Sequence, residues 1–179
     1  SIAVIGLGYV GLPLANELSK NFNTTGFEIN VKKIKELKKG IDRTNEILSI
    51  NKSLKLTSNI LSLTNCNIYI FCLPTPVNKN KKPDLKILNN SLKKISKISK
   101  NEDTVIIEST YYPGATEMLI KKYFKNKKIN IGYSPERINP GDKIRTLTNI
   151  KKITSGSNPE VAEFIDQVYA TIIKAGTNK

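Results

Sequence analysis

The sequence predicts a doubly wound α/β fold, a mostly parallel sheet with helices on both faces. Three observations predict it. Short apolar runs alternate with amphipathic stretches along almost all of the 179 residues, the pattern of parallel strands joined by crossover helices. A glycine-rich turn, GLGYVG, sits between the first apolar run and the first helical stretch. Three later segments, where apolar runs end, carry prolines and glycines, at the side of such a sheet where ligands bind. No internal repeat or linker interrupts the alternation, so residues 1–179 read as one domain.

The elements follow in order. SIAVIG (1–6) is apolar, β-branched and ends in glycine, as a buried parallel strand does. Residues 6–20 turn into a helix with Leu14 and Leu18 on one face, and TTGFEI (24–29) is a second strand. VKKIKELKK (31–39) is an amphipathic helix with Val31, Ile34 and Leu37 inward. GIDRTNEI (40–47) is a polar loop or short helix, LKLTS (54–58) a weak third strand, and NIYIFCL (67–73) a strong one stopped by Pro74 and Pro76. A lysine-rich turn over 79–83 leads to Asp84, which caps a helix over 84–99 with Leu85, Leu88, Leu92 and Ile95 inward. DTVIIEST (103–110) is a strand, 114–124 a helix, INIGY (129–133) a strand and KKITSGS (151–157) another. Ser157 or Asn158 caps a last helix to about residue 170.

Composition narrows the chemistry. The net charge is +14, from 29 Lys and Arg against 15 Asp and Glu. Such an excess can mark a nucleic-acid or anionic-ligand binder. The lysines are scattered over helix faces, and Lys, Asn and Ile, all abundant here, share AT-rich codons, so coding bias explains much of the charge. No specific nucleic-acid partner is expected: there is no helix-turn-helix, finger or aromatic-interleaved basic patch. The absence of histidine excludes Ser-His-Asp and Cys-His catalysis and His-ligated zinc within these residues. The two cysteines, Cys66 and Cys72, lack metal spacing. No membrane span or signal peptide is read, and a cytoplasmic location is expected.

In GLGYVG the glycines Gly6, Gly8 and Gly11 have the order G-x-G-x-x-G, in a strand–turn–helix context. The first allows a tight turn, the second a close approach of pyrophosphate to the backbone, and the third close packing of helix on strand, as in a Rossmann-like domain. Tyr9 and Val10 contribute amides, and the helix N-terminus adds free N–H groups and a positive dipole end. Glu28 ends the second strand at the separation expected of the acid that binds the adenosine ribose. A carboxylate there accepts from both hydroxyls and repels a 2′-phosphate, which favours NAD over NADP. Lys33, nearby, would weaken that repulsion. The other reading of these residues is a bare turn with a solvated acid.

Three strand ends stand out. In FCLPTPV the prolines fix the exit from the sheet and leave Thr75 to offer a hydroxyl and an amide. In IESTYYPGATE, Ser109 and Thr110 end a strand and Pro113-Gly114 begin a helix. In YSPERINPGDK, Glu136 and Arg137 lie between Pro135 and Pro140, a spacing no helix or central strand tolerates. This last is a fixed, charged loop.

GLGYVGLP, FCLPTPV with KKPDL after it, ESTYYPGATE, and YSPERINPGDK followed by SGS together resemble the UDP-glucose/GDP-mannose (nucleotide-sugar) 6-dehydrogenase family. The PERINPGDK form is most similar to its bacterial UDP-N-acetylhexosamine branch, which serves capsule and surface polysaccharide synthesis. The resemblance implies oxidation of the sugar's primary alcohol to a carboxylate with two NAD reduced in succession, through a cysteine adduct and a thioester that is hydrolysed. It implies that Leu73 and Thr75 lie along the dinucleotide and that Ser109 and Thr110 reach toward the nicotinamide. Thr110 then positions a water or oxyanion, and Glu136 serves the hydrolytic steps as base or water-orienting group. Arg137 pairs with the nucleotide-sugar substrate or with a carboxylate of the site.

Relatives using UDP-glucose carry a second glutamate where this chain has Pro140, which fits the acetylhexosamine branch. Family members are more than twice this length. The nucleophilic cysteine, the catalytic lysine, the central helix and the C-terminal sugar-binding domain are therefore expected outside this chain, which alone would be inactive, the full-length protein being a homo-oligomer. Cys72 is a poor substitute nucleophile, set in an apolar run without a histidine. Two alternatives remain open: the cofactor domain of a hydroxyacid-type NAD-dependent dehydrogenase, and a non-catalytic dinucleotide- or nucleic-acid-binding module.

Overall fold

The computed structural model describes residues 1–179 except 78–80, 140 and 143. The start of the lysine-rich turn, Pro140 and Lys143 lie outside the described residues.

Six short strands form the parallel sheet, the inner four of them buried on both faces because helices cover both. They are β1 (Ile2–Ile5), β2 (Thr24–Phe27), β3 (Lys55–Thr57), β4 (Ile68–Phe71), β5 (Thr104–Ile107) and β6 (Asn130–Tyr133). All pair in parallel, in the order β3-β2-β1-β4-β5-β6. The chain therefore runs from β1 outward to β3, then returns across β1 to build the other half, leaving a switch point between β1 and β4.

Alternation along each strand sorts the core into two layers. Ile2, Val4, Ile68, Ile70 and Ile106 pack with helices α1 (Gly11–Leu18), α2 (Val31–Lys38) and α5 (Pro159–Ala170). Ala3, Ile5, Tyr69, Phe71, Val105 and Ile107 pack with α3 (Lys86–Ile98) and α4 (Ala115–Phe124). In α3 the buried residues Leu88, Leu92 and Ile95 repeat at helical spacing and turn one stripe to the sheet.

Register fixes the carboxyl edge. Ile5 pairs with Phe27 and Phe71, Phe71 with Ile107, and Ile107 with Tyr133. The next residues, Glu28, Gly6, Cys72, Glu108 and Ser134, consequently form one row, each amide bonded to a neighbouring strand's last carbonyl.

Within the stretch 6–20 read as a turn into a helix, helix α1 itself starts at Gly11, because residues 8–10 form a turn. Three sequence expectations change. Val31, expected inward, is 53% exposed, and the buried stripe of α2 begins at Ile34. Helix α3 begins at Lys86, and the Asp84 carboxylate accepts from the Lys86 amide at 2.9 Å instead of capping from the N-cap position. The single strand expected over 151–157 divides in two. Strand β7 (Lys152–Ile153) pairs in parallel with β9 (Thr177–Asn178), whereas β8 (Ser155–Gly156) joins β6 antiparallel. Thr154 between them is fully buried, its amide bonded to the Asn178 carbonyl and its hydroxyl to Asp166. The last helix starts as expected: Asn158 accepts from the Val161 amide at 2.8 Å, and Pro159 fills the first turn.

Leu92 is fully buried between α3 and the sheet. Leu92→Ala is expected to cost about 2–5 kcal/mol, read as a lower urea midpoint with an unchanged slope. A change under about 1 kcal/mol would show that this face is not close-packed.

Candidate functional site

The glycine turn sits at the switch point, and close contacts fix it there. A side chain added at Gly11 would lie 1.9 Å from the Gly6 carbonyl oxygen and 3.0 Å from Cys72 Cβ. Gly6 itself has φ +92°, and a Cβ there would meet the Cys72 carbonyl at 2.7 Å. Gly8 differs: nothing lies within 4 Å of a Cβ built on it. The amides of Tyr9, Val10 and Gly11 have no backbone acceptor among the described residues. The turn thus presents bare donors and a helix N-terminus to open space, which suits an anion.

Two cavities meet at Gly8. The first, about 740 Å³, is lined by Gly6, Gly8, Glu28, Ile29, Leu73 and Lys94 among others. The second, about 490 Å³, runs from Gly8, Tyr9 and Val10 past Leu73 and Thr75 to Ser109, Thr110 and Glu136. All but three of the residues singled out in the sequence for cofactor and substrate, Gly11, Lys33 and Arg137, therefore line one of two adjoining spaces. Lys33 stands apart, in a separate cavity with Glu36 and Arg43. Arg137 lines neither of the two, and its guanidinium donates to the Lys151 carbonyl at 3.0 Å. Among the described residues Arg137 pairs with no carboxylate; Lys152 takes that place.

Several hydroxyls are already committed. Ser109 Oγ donates to the Leu73 carbonyl at 2.6 Å and accepts from the Leu73 amide, and Thr75 donates to the Thr110 carbonyl at 2.7 Å. These bonds stitch the β4 and β5 exits together across the cavity floor. Ser109 is buried in this stitch while it lines the second cavity. Thr110 is exposed. Glu28 is half-buried, and its Oε1 accepts from the Asn30 amide at 3.1 Å.

The feature that sequence reading missed is a buried charged network. Glu108 follows Ile107 at the edge of β5 and takes the α5 side of the sheet. Lys152 of β7 is 4% exposed, with Nζ 2.7 Å from Glu136 Oε2 and 3.2 Å from Glu108 Oε2. Tyr169 of α5 donates to Glu108 Oε1 at 2.5 Å. Glu136 Oε1 accepts from the amides of Arg137 and Ile138 at 2.7 and 3.1 Å. The loop thus holds Glu136 through its own backbone and Lys152. Burial alone would lower the Lys152 pKa, but Glu108 and Glu136 outweigh it and the ammonium is held above its usual value. Burial raises the Glu108 carboxyl, and Lys152 does not fully offset it because Glu136 adds a second negative charge. Burial, then Glu108, pushes the Tyr169 hydroxyl well up. Cys72, lining both cavities, has its thiol raised well above normal by burial and by Glu108, against the opposing pull of Lys152. It is not an activated nucleophile. The signal in the sequence was the lone acid after VII in VIIEST, which requires a counter-charge once buried.

No group of metal-binding side chains occurs among the described residues, and no helix there is long and apolar enough to cross a membrane.

Comparison with known proteins places these features in a family. Residues 1–173 match the UDP-glucose/GDP-mannose dehydrogenase family, NAD binding domain. The chain is 48% identical to the UDP-N-acetyl-D-glucosamine 6-dehydrogenase of Pseudomonas aeruginosa, covering 99% of this chain and 45% of that protein. It is 42% identical to Protein CapL of Staphylococcus aureus, over 100% of this chain and 45% of that one. The solved UDP-D-ManNAc dehydrogenase of Pyrococcus horikoshii superposes with a TM-score of 0.87 at 27% identity, over 98% of this chain and 46% of that chain. The chain spans less than half the length of these relatives.

Two predictions follow from the geometry. Gly8→Ala should fold normally yet weaken NAD binding at least about tenfold, since only the ligand's approach is blocked, while Gly11→Ala should lower the melting temperature. Calorimetry and thermal melts check both. Lys152→Met leaves two buried carboxylates without a cation and should cost about 3–5 kcal/mol at neutral pH. Protonating the carboxylates relieves the repulsion, so the deficit should shrink as pH falls, in urea melts of both proteins.

Proposed function

The chain belongs to the UDP-glucose/GDP-mannose dehydrogenase family, as its NAD-binding domain, and from that premise we propose that it is the cofactor half of an NAD-dependent UDP-N-acetylhexosamine 6-dehydrogenase. One observation carries the reading. Two cavities adjoin at Gly8, one walled by Glu28 and the other by Thr110 and Glu136. The identity to an enzyme named for UDP-N-acetyl-D-glucosamine supports the substrate class.

The residues fit the cofactor. The open space over Gly8 and the bare amides of Tyr9, Val10 and Gly11 take the pyrophosphate. Glu28 accepts from the adenosine ribose hydroxyls and disfavours a 2′-phosphate. Leu73 and Thr75 flank the path between the ends. When bound, the cofactor supplies the hydride acceptor for oxidation of the sugar's primary alcohol. Thr110 offers its exposed hydroxyl to position a water or oxyanion. Glu136, aimed by two backbone amides and Lys152, acts as base or water-orienting group in the hydrolytic step. Arg137, unpaired with any described carboxylate, remains available to the nucleotide sugar. The thiol nucleophile comes from outside these residues, because neither cysteine here is activated: burial raises Cys66 as well as Cys72. The whole enzyme works in the cytoplasm, as a homo-oligomer, in surface polysaccharide synthesis.

The test is an assay of a family-length protein carrying this chain. UDP-N-acetylhexosamine should drive reduction of two NAD per sugar, while this chain alone binds NAD without turnover. Turnover of 2-hydroxy acids with no response to nucleotide sugars would overturn the reading.

A further inference from the structure

The second cavity carries an uneven charge. Among the described residues the only charged side chains lining it are Glu108 and Glu136. Behind them stands a single ammonium, Lys152, shared between the two. Glu136 is well satisfied, with two amides on one oxygen and Lys152 on the other. Glu108 is not. Its Oε2 is buried and has no hydrogen-bond partner among the described residues, although Lys152 Nζ lies 3.2 Å away as an ion-pair contact. A buried carboxylate with an unused oxygen at a cavity wall is costly unless a ligand completes it.

We propose that the second cavity is a cation-selective nicotinamide subsite, in which the unbalanced Glu108 makes the chain bind oxidised cofactor in preference to reduced. The nicotinamide ring of NAD⁺ carries a positive charge, and that of NADH carries none. Phosphates, riboses and adenine are common to both, so the turn and Glu28 cannot tell them apart. Only a charge near the ring can. The inference rests on the NAD-binding reading, because it needs the nicotinamide end in this cavity. Its consequence is directional: after each hydride transfer the site loses its hold on the reduced ring, and exchange for fresh NAD⁺ is favoured.

The groups facing Glu108 are Lys152 from β7, Glu136 from the loop after β6, Tyr169 from α5 and Cys72 at the end of β4. Only the ionised carboxylate attracts the cation. With its pKa raised by burial, Glu108 becomes more ionised as pH rises through that value. Preference for NAD⁺ should therefore grow with pH, and NAD⁺ binding should release protons.

The experiment is calorimetric titration of this chain with NAD⁺, NADH and ADP-ribose, which lacks the nicotinamide. A screened charge pair of this kind predicts NAD⁺ binding roughly tenfold tighter than NADH where Glu108 is ionised, with a smaller ratio once the pH is low enough to protonate it. Glu108→Gln should bring the ratio within about twofold while ADP-ribose binds as before. Equal affinities for NAD⁺ and NADH in the unmodified chain, a ratio that Glu108→Gln leaves unchanged, or a variant that loses ADP-ribose in step with NAD⁺ would overturn the inference alone. Failure of the unmodified chain to bind ADP-ribose would overturn the cofactor reading and the inference with it. Should Glu108→Gln not fold, the ratio of NAD⁺ to NADH affinity in the unmodified chain decides.

Discussion

The contact between Gly11 and the Gly6 carbonyl is the constraint on which the site depends. With hydrogen in place of a side chain, helix α1 starts flush against the end of β1, and any Cβ would come within 1.9 Å of that oxygen. Because β1 is paired on both sides, this one approach sets the helix relative to β2 and β4 together. The first turn of α1 then opens above the switch point, with its unbonded amides facing outward instead of into the sheet. Gly8, the residue with open space around it, is the place where that arrangement becomes a binding surface.

From there the parallel register does the rest. It brings Glu28, Gly6, Cys72, Glu108 and Ser134 into one row along the carboxyl edge, although they are far apart in sequence. Neighbours in the row see different surroundings. Glu28 is half-buried and stays a simple acceptor, while Glu108 is fully buried and must be compensated by Lys152 and Tyr169. The same Lys152 holds Glu136, so the acid assigned to chemistry and the acid buried beneath it share one cation. This coupling links the sheet core to the loop, and it relies on the short strand β7, which brings Lys152 under the site.

Much of the fold was legible because it rests on local signals. Apolar runs such as IAVI and TVII show strands buried on both faces, and the glycine spacing in a strand–turn–helix context marks the cofactor turn. The acid Glu28 and the strand-end residues Thr75, Thr110 and Glu136 could be named for the same reason: position relative to a strand end is a sequence property. What was not legible depends on contacts between distant segments. The splitting of KKITSGS between two sheets is set by β9 and β6, not by its own pattern. Nothing in the local pattern of a lysine-rich chain marks Lys152, which is buried between Glu108 and Glu136. Arg137, read as a partner of substrate or of a carboxylate of the site, pairs with no carboxylate among the described residues, and its guanidinium donates to the Lys151 carbonyl.

The central claim is that one dinucleotide spans both cavities across Gly8, adenosine at Glu28 and nicotinamide by Thr110 and Glu136. Amide chemical-shift mapping in solution tests it most directly, with ADP-ribose and then NAD added to isotope-labelled chain. The account predicts that ADP-ribose shifts Gly6, Gly8 and the Glu28–Asn30 segment, and that NAD adds Thr110 and Glu136. Shifts confined to the separate cavity between Glu46 and Asp142, with the glycine turn silent, would contradict it.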